Sequence, residues 1–215
     1  MRKPILFDGI TKGSDHVILS KNISKGAGAV FSGKNLVAHG AIVVRNESLS
    51  VLSLGNTLRA TMSFEKETNY QRCRVRIEAL CEGNDDQIAK MASVVGVLHN
   101  EMNNFFWTGF YRVVEGGLLI GPYQGTVGCL RIEIGKGVCG TAAARGETQV
   151  IKDIHDFPGH IACDERSQSE IVVPVTNESG NLIAVLDVDS VKKGAFDNVD
   201  RKCLEEILAH VFGGR

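Results

Sequence analysis

Ile171-Val172-Val173-Pro174-Val175 and Leu182-Ile183-Ala184-Val185-Leu186-Asp187-Val188 flank the turn stretch Asn177-Glu178-Ser179-Gly180-Asn181. Two runs rich in β-branched and aliphatic residues, joined by turn formers, read as an antiparallel hairpin. Downstream, Asp197 to Phe212 reads as a closing helix with Leu204, Ile207, Leu208 and Val211 on one face. Upstream lie further short β-type runs: Phe105 to Val114, a turn at Glu115-Gly116-Gly117, then Leu118 to Gly121 and Val127 to Ile134. Gly135-Lys136-Gly137 leads into a short Ala-rich helix near Val138 to Arg145, and Thr148 to Ile151 adds another strand.

Before the strands, residues 64 to 81 read as a moderately amphipathic helix. Asn84 and Asp85 supply cap-type residues for a second one, where Ile88, Met91, Ala92, Val95, Leu98 and Met102 recur at steps of three and four. Such a stripe packs on a sheet. The reading is therefore α+β: a mostly antiparallel central sheet with the N- and C-terminal helices packed on one face. Residues 1–62 form an N-terminal extension of uncertain structure, and 63–215 the folded domain. In the extension eight basic residues face three acidic ones, and apolar fragments at 17–19, 41–44 and 49–52 read as short strands or coil. A poorly ordered tail, an added β element and a presequence all fit that composition.

Bulk properties narrow the function. A chain of 215 residues with a formal net charge of -1 has no global attraction for nucleic acid or an anionic membrane surface. No apolar run approaches the roughly 18 residues of a membrane span. The six cysteines exceed what a core of this size needs as staples, so a reducing, cytoplasmic setting fits better. There, thiols serve catalysis, redox sensing or metal binding. Cys73, Cys81 and Cys203 fall in helical patterning and read as small packed hydrophobes.

Cys129, Cys139 and Cys163 carry the chemistry. Cys163 follows the loop Asp156-Phe157-Pro158-Gly159-His160, a poor place for a core residue, and His160, Arg166 and Lys152 could favour its thiolate. Cys129 sits in an expected strand, where a packed side chain and a resolving thiol are both open readings. Cys139 stands at a helix start, where free N–H groups favour a thiolate. A zinc site from Cys129, Cys139, Cys163, His155 and His160 is disfavoured, because the cysteines lie ten and twenty-four residues apart rather than in close pairs. Asp187 and Asp189 alternate on one strand, so they share a face, and Glu170 could join them across the hairpin. Trp107 and Tyr111 likewise share a face as an aromatic wall, for a pocket or for the core.

Together these residues resemble the free methionine-(R)-sulfoxide reductase family, built on a single GAF domain. The resemblance is carried by Trp107-Thr108-Gly109-Phe110-Tyr111, Gly121-Pro122-Tyr123-Gln124-Gly125, Gly135 to Ala142, Gly159 to Asp164, Ser169 to Pro174 and Leu186 to Ser190. It runs from about Phe64 to Phe212. It implies a GAF-like fold and reduction of the free amino acid's R sulfoxide, with Cys163 as nucleophile, Cys129 as resolving thiol and Cys139 as a further redox-active thiol. Glu170, Asp187 and Asp189 match the acids around the sulfoxide, and Trp107 and Tyr111 the pocket for the S-methyl group. No bound cofactor or metal is implied. Thioredoxin is the implied external reductant, free methionine-(R)-sulfoxide the substrate, and a homodimer is among the assemblies allowed. The competing reading is a non-catalytic GAF module that senses a small ligand. A third is a thiol sensor of peroxide.

Overall fold

In the computed structural model, which describes residues 51–159 and 164–213, the chain opens with α1 (Val51–Cys81) and α2 (Gln87–Glu101). Then follow β1 (Trp107–Val114), β2 (Gly117–Gln124), β3 (Arg131–Glu133), α3 (Gly137–Arg145) and β4 (Gln149–Ile151). A 3-10 turn at Ile154–Asp156 precedes β5 (Ser169–Thr176), β6 (Leu182–Ser190) and α4 (Asn198–Phe212). Expectations for residues 1–50, and those for His160 and Cys163, lie outside the described residues.

The strands form one antiparallel sheet in the order β3-β2-β1-β6-β5-β4. The hairpin read from 171–188 is its β5–β6 pair, with Ile171 opposite Val188 and Val173 opposite Leu186. Alternation along these strands sorts side chains between two layers. Ile171, Val173, Val175, Ala184, Leu186 and Val188 meet α1, α2 and α4, through Tyr70 and Ile77, Met91 and Leu98, and Leu204 and Ile207. Burying each such large side chain contributes about 1.5–3 kcal/mol. The terminal helices thus share one face, as expected. Trp107, Tyr111, Val172 and Val185 point the other way, against Val138, Cys139 and Ala142 of α3. Cys73 and Cys203 are free thiols buried in the first layer.

The N-terminus of α4 is tied to α1. Asp197 caps α4 by accepting from the Val199 backbone N–H at 2.7 Å, and Asp200 returns the bond from the Asp197 N–H at 2.7 Å. Asp200, 2% exposed, also accepts from Lys66 Nζ at 2.6 Å and Tyr70 Oη at 2.8 Å. A carboxylate buried this deeply is tolerated only because every approach to it carries a donor.

Three elements differ from the residue pattern. α1 begins at Val51 rather than 64, so the expected boundary at 62/63 falls inside it. Gly55, Asn56 and Thr57 are weak helix formers, but a glycine costs only about 1 kcal/mol in a helix, and a 31-residue ladder absorbs that. On α2 the cap is Asp86, whose side chain accepts from the Ala89 N–H. Ile88 faces solvent there, while Val94 and Val97 join the buried stripe. The strand expected over Val127 to Ile134 shrinks to Arg131–Glu133 at the sheet edge. Val127 and Leu130 read as strand residues, yet they are 80% and 68% exposed. Cys129 consequently lies in a loop, not in a strand.

Candidate active site

Strand register assembles the acids. Asp187 and Asp189 project from the α3 side of β6, and Glu170 of β5 pairs with Asp189. From the other flank Trp107 pairs with Asp189, Gly109 with Asp187 and Tyr111 with Val185. Glu170, Asp189 and Trp107 therefore form one row across three strands. Helix α3 closes over it, and its third residue, Cys139, points its thiol at Glu170 Oε1 from 3.8 Å. The ligand atoms of Cys139, Glu170 and Asp187 all lie within 4.8 Å of one another.

Burial controls the charges here. Glu170 and Asp187 are only 5% and 6% exposed. Desolvation, reinforced by Asp187 and Asp189, pushes the Glu170 carboxyl well above the usual carboxylate range. Asp187 is raised to about 6 by burial, against which hydrogen bonds from Cys139 and Glu170 pull it back. Asp189 is raised by burial and by Asp187, while the Ser167 side chain hydrogen-bonds it. Three carboxyls so placed titrate as a unit and hold a proton near neutral pH. Asp187 Oδ1 is buried without a hydrogen-bond partner and lines the hollow beside it.

The same field acts on Cys139. Its helix-start position suggested a thiolate, but burial, Asp187 and Glu170 raise this thiol well above its ordinary value. It is a protonated donor within the acid cluster. The dipole of a nine-residue helix is outweighed by desolvation and adjacent acids.

An aromatic wall faces the acids. Trp107 is sandwiched between Tyr111 (centroids 5.9 Å apart, 22° between planes) and Tyr123 (5.5 Å, 16°). Its indole N–H donates to the Thr126 carbonyl at 2.8 Å. The stack depends on two bare backbone positions. A Cβ at Gly109 would drive into Trp107 Cη2 and come within 2.5 Å of Tyr123 Cβ. One at Gly128 would sit 2.9 Å from Trp107 Cζ2 and 3.1 Å from Tyr111 Oη. Gly109→Ala is therefore expected to unseat the indole, red-shifting the emission of the single tryptophan and destabilising the fold by about 1–3 kcal/mol. An unchanged emission spectrum would show that the wall adapts without moving Trp107. Tyr123 was missed as a site residue; the signal for it was its register opposite Gly109, which requires knowing the strand pairing.

Trp107, Tyr111, Cys139, Glu170, Asp187 and Asp189 border one hollow of about 30 Å³, room for a water or two. The backbone N–H of Cys129 hydrogen-bonds Oη of Tyr111, one of the lining residues. It is disulfide-bonded, and its partner is none of Cys73, Cys81, Cys139 and Cys203, which are free thiols. Cys163 lies outside the described residues. Among those described, Cys139, Glu170 and Asp187 are the one group spaced to hold a metal ion, a set different from the cysteine–histidine one weighed above. His155 is exposed on its 3-10 turn. A thiolate and two carboxylates would suit a borderline divalent ion, but only after losing protons that this burial retains. No described helix is long and apolar enough to cross a membrane.

Comparison with known proteins gives the family. The GAF domain model matches residues 92–211. GAF domain-containing protein A of Dictyostelium discoideum is 48% identical over 144 residues, covering 66% of this chain and 90% of that protein. The free methionine-R-sulfoxide reductase of Escherichia coli is 41% identical over 133 residues, 62% of this chain and 80% of the enzyme. The crystal structure of free methionine-R-sulfoxide reductase from Neisseria meningitidis in complex with its substrate superposes with a TM-score of 0.64 at 39% identity. It covers 66% of this chain and 86% of that one. The chain belongs to the GAF-domain family, among its free methionine-R-sulfoxide reductases.

Proposed function

We propose that this protein is an oxidoreductase that reduces free L-methionine-(R)-sulfoxide to methionine. The observation that carries the reading is the proton-holding group of buried Glu170 and Asp187 and half-buried Asp189, set against the Trp107 wall. A sulfoxide oxygen leaves sulfur only when protonated, so the reaction needs an acid still neutral near pH 7. Burial and mutual repulsion provide one here. The aromatic stack offers an apolar surface for the S-methyl group, and the orphaned Asp187 Oδ1 gives a polar contact that water or substrate can satisfy.

The cycle then runs in three balanced steps. The Cys163 thiolate attacks the sulfoxide sulfur, the acid group protonates the oxygen, and oxygen passes to Cys163 as methionine leaves, so that sulfur is reduced by two electrons and the cysteine becomes a sulfenic acid. Cys129 condenses with it, forming the S–S bond and releasing water. A thioredoxin-type dithiol reduces that disulfide by exchange and is itself oxidised. Cys139 stays a protonated third thiol that donates a hydrogen bond to the acid group. No bound cofactor enters, and the need for a reducing dithiol fits a cytoplasmic setting. The disulfide on Cys129 supports its role as the thiol that closes on the oxidised cysteine.

The test is turnover. With dithiothreitol or thioredoxin as reductant, the purified protein is expected to convert the free R epimer to methionine repeatedly. Ligand binding without methionine production would support the sensor reading instead.

A further inference from the structure

Thr126 and Asp164 join two parts of the chain that the catalytic cycle must bring into register. Thr126 lies three residues before Cys129, and Asp164 directly follows Cys163. The Thr126 hydroxyl donates to Asp164 Oδ2 at 2.6 Å. Each end of this bond has further partners. Thr126 is held through its carbonyl by Trp107 Nε1, and Cys129 through its N–H by Tyr111 Oη. Asp164 takes a two-pronged bond from Arg166, Nε to Oδ1 at 2.9 Å and Nη2 to Oδ2 at 2.8 Å, plus the Arg166 backbone N–H at 2.9 Å. The Arg166 guanidinium in turn lies 4.8 Å from the centre of the Phe106 ring, next to Trp107 in the chain. Arg166 and Thr126 together hold the Asp164 carboxyl well below its usual range, so it is a permanent acceptor.

We propose that the Thr126–Asp164 hydrogen bond is a positioning clamp that sets Cys129 for attack on the Cys163 sulfenic acid, and that Thr126 and Asp164 act on disulfide closure. The inference rests on the reductase cycle above. In the step concerned, Cys129 Sγ bonds to the sulfenic sulfur, the S–O bond breaks, and the oxygen leaves as water with the thiol proton and its own. No outside reductant takes part. Two thiols far apart in the sequence meet only as often as the segments that carry them hold register, and a misplacement of about 1 Å costs up to about a hundredfold in such a reaction.

The experiment is a single turnover of the reduced protein with free methionine-(R)-sulfoxide. Methionine release is followed by chromatography, and disulfide closure by loss of dimedone-trappable sulfenic acid. Thr126→Val is expected to lower the ratio of closure rate to release rate about tenfold, and Thr126→Ser, which keeps the hydroxyl, to restore it. Asp164→Ala should give the same drop, and the double variant no more than either single one, the signature of one shared interaction. A ratio that Thr126→Val leaves at the wild-type value, or singles whose effects multiply in the double variant, overturns the clamp while leaving the reductase reading intact. No methionine from the wild-type protein overturns both.

Discussion

Cys163→Ser releases no methionine from free methionine-(R)-sulfoxide, a loss of at least about a thousandfold. Serine keeps the size and the hydrogen bonding but not the nucleophile, since a hydroxyl is scarcely ionised near neutral pH where a thiol is partly so. The thiols of Cys139, Cys73 and Cys203 are not placed to substitute. Cys139 is buried with its proton held by Asp187 and Glu170, and Cys73 and Cys203 sit in the opposite layer. The same variant should leave Cys129 as a free thiol, alkylated by iodoacetamide in the unreduced protein where the parent resists. Normal turnover by Cys163→Ser would remove the assigned nucleophile. Full activity with Cys129 still blocked would point to a different disulfide partner.

Glu170→Gln and Asp187→Asn are the second pair of large effects. Each amide fills the space of its carboxyl yet cannot pass a proton, so the rate of methionine release should fall by about a hundredfold or more. In the parent protein the rate should decline as pH rises through the titration of the acid group, because the donor is then lost. Stability gives an independent reading with a definite sign. Asp187 is raised from its ordinary 3.8 to about 6 in the folded state. The folded protein therefore binds more protons than the unfolded chain between those values, and stability falls as pH rises across that window. Asp187→Asn cannot ionise, so its stability should fall less than the parent's between pH 4 and 7 in urea melts. Parallel stability–pH curves would mean that Asp187 is not desolvated as described. Loss of folding without a specific loss of rate would make the acids structural.

How much of this was legible in the residues follows from which interactions are local. Alternation along one strand placed Asp187 and Asp189 on a common face, and hairpin logic brought Glu170 across to them. The structure pairs Glu170 with Asp189 directly. The shared face of Trp107 and Tyr111 was readable for the same reason. What failed depended on context beyond a few residues. Val127 and Leu130 have strand-like side chains, but the backbone between Gly125 and Gly128 is diverted over the indole, which carries Cys129 into a loop. The start of α1 was misplaced because glycine and asparagine weaken a helix locally without stopping one of this length. The raised Cys139 thiol could not be foreseen, since the acids that hold its proton come from strands thirty and more residues away. Tyr123, Thr126 and Asp164 join the site through pairings that only the folded chain reveals.

The most direct check on the account is a stoichiometric single turnover of the fully reduced protein, with each epimer of free methionine sulfoxide and with a peptide-bound R sulfoxide, followed by mass mapping of the cysteines. The account predicts about one methionine per protein from the free R epimer, essentially none from the other two, and a Cys129–Cys163 disulfide appearing in step with product. Methionine from the S epimer or the peptide at a comparable rate, or product formed while both thiols stay free, would contradict it.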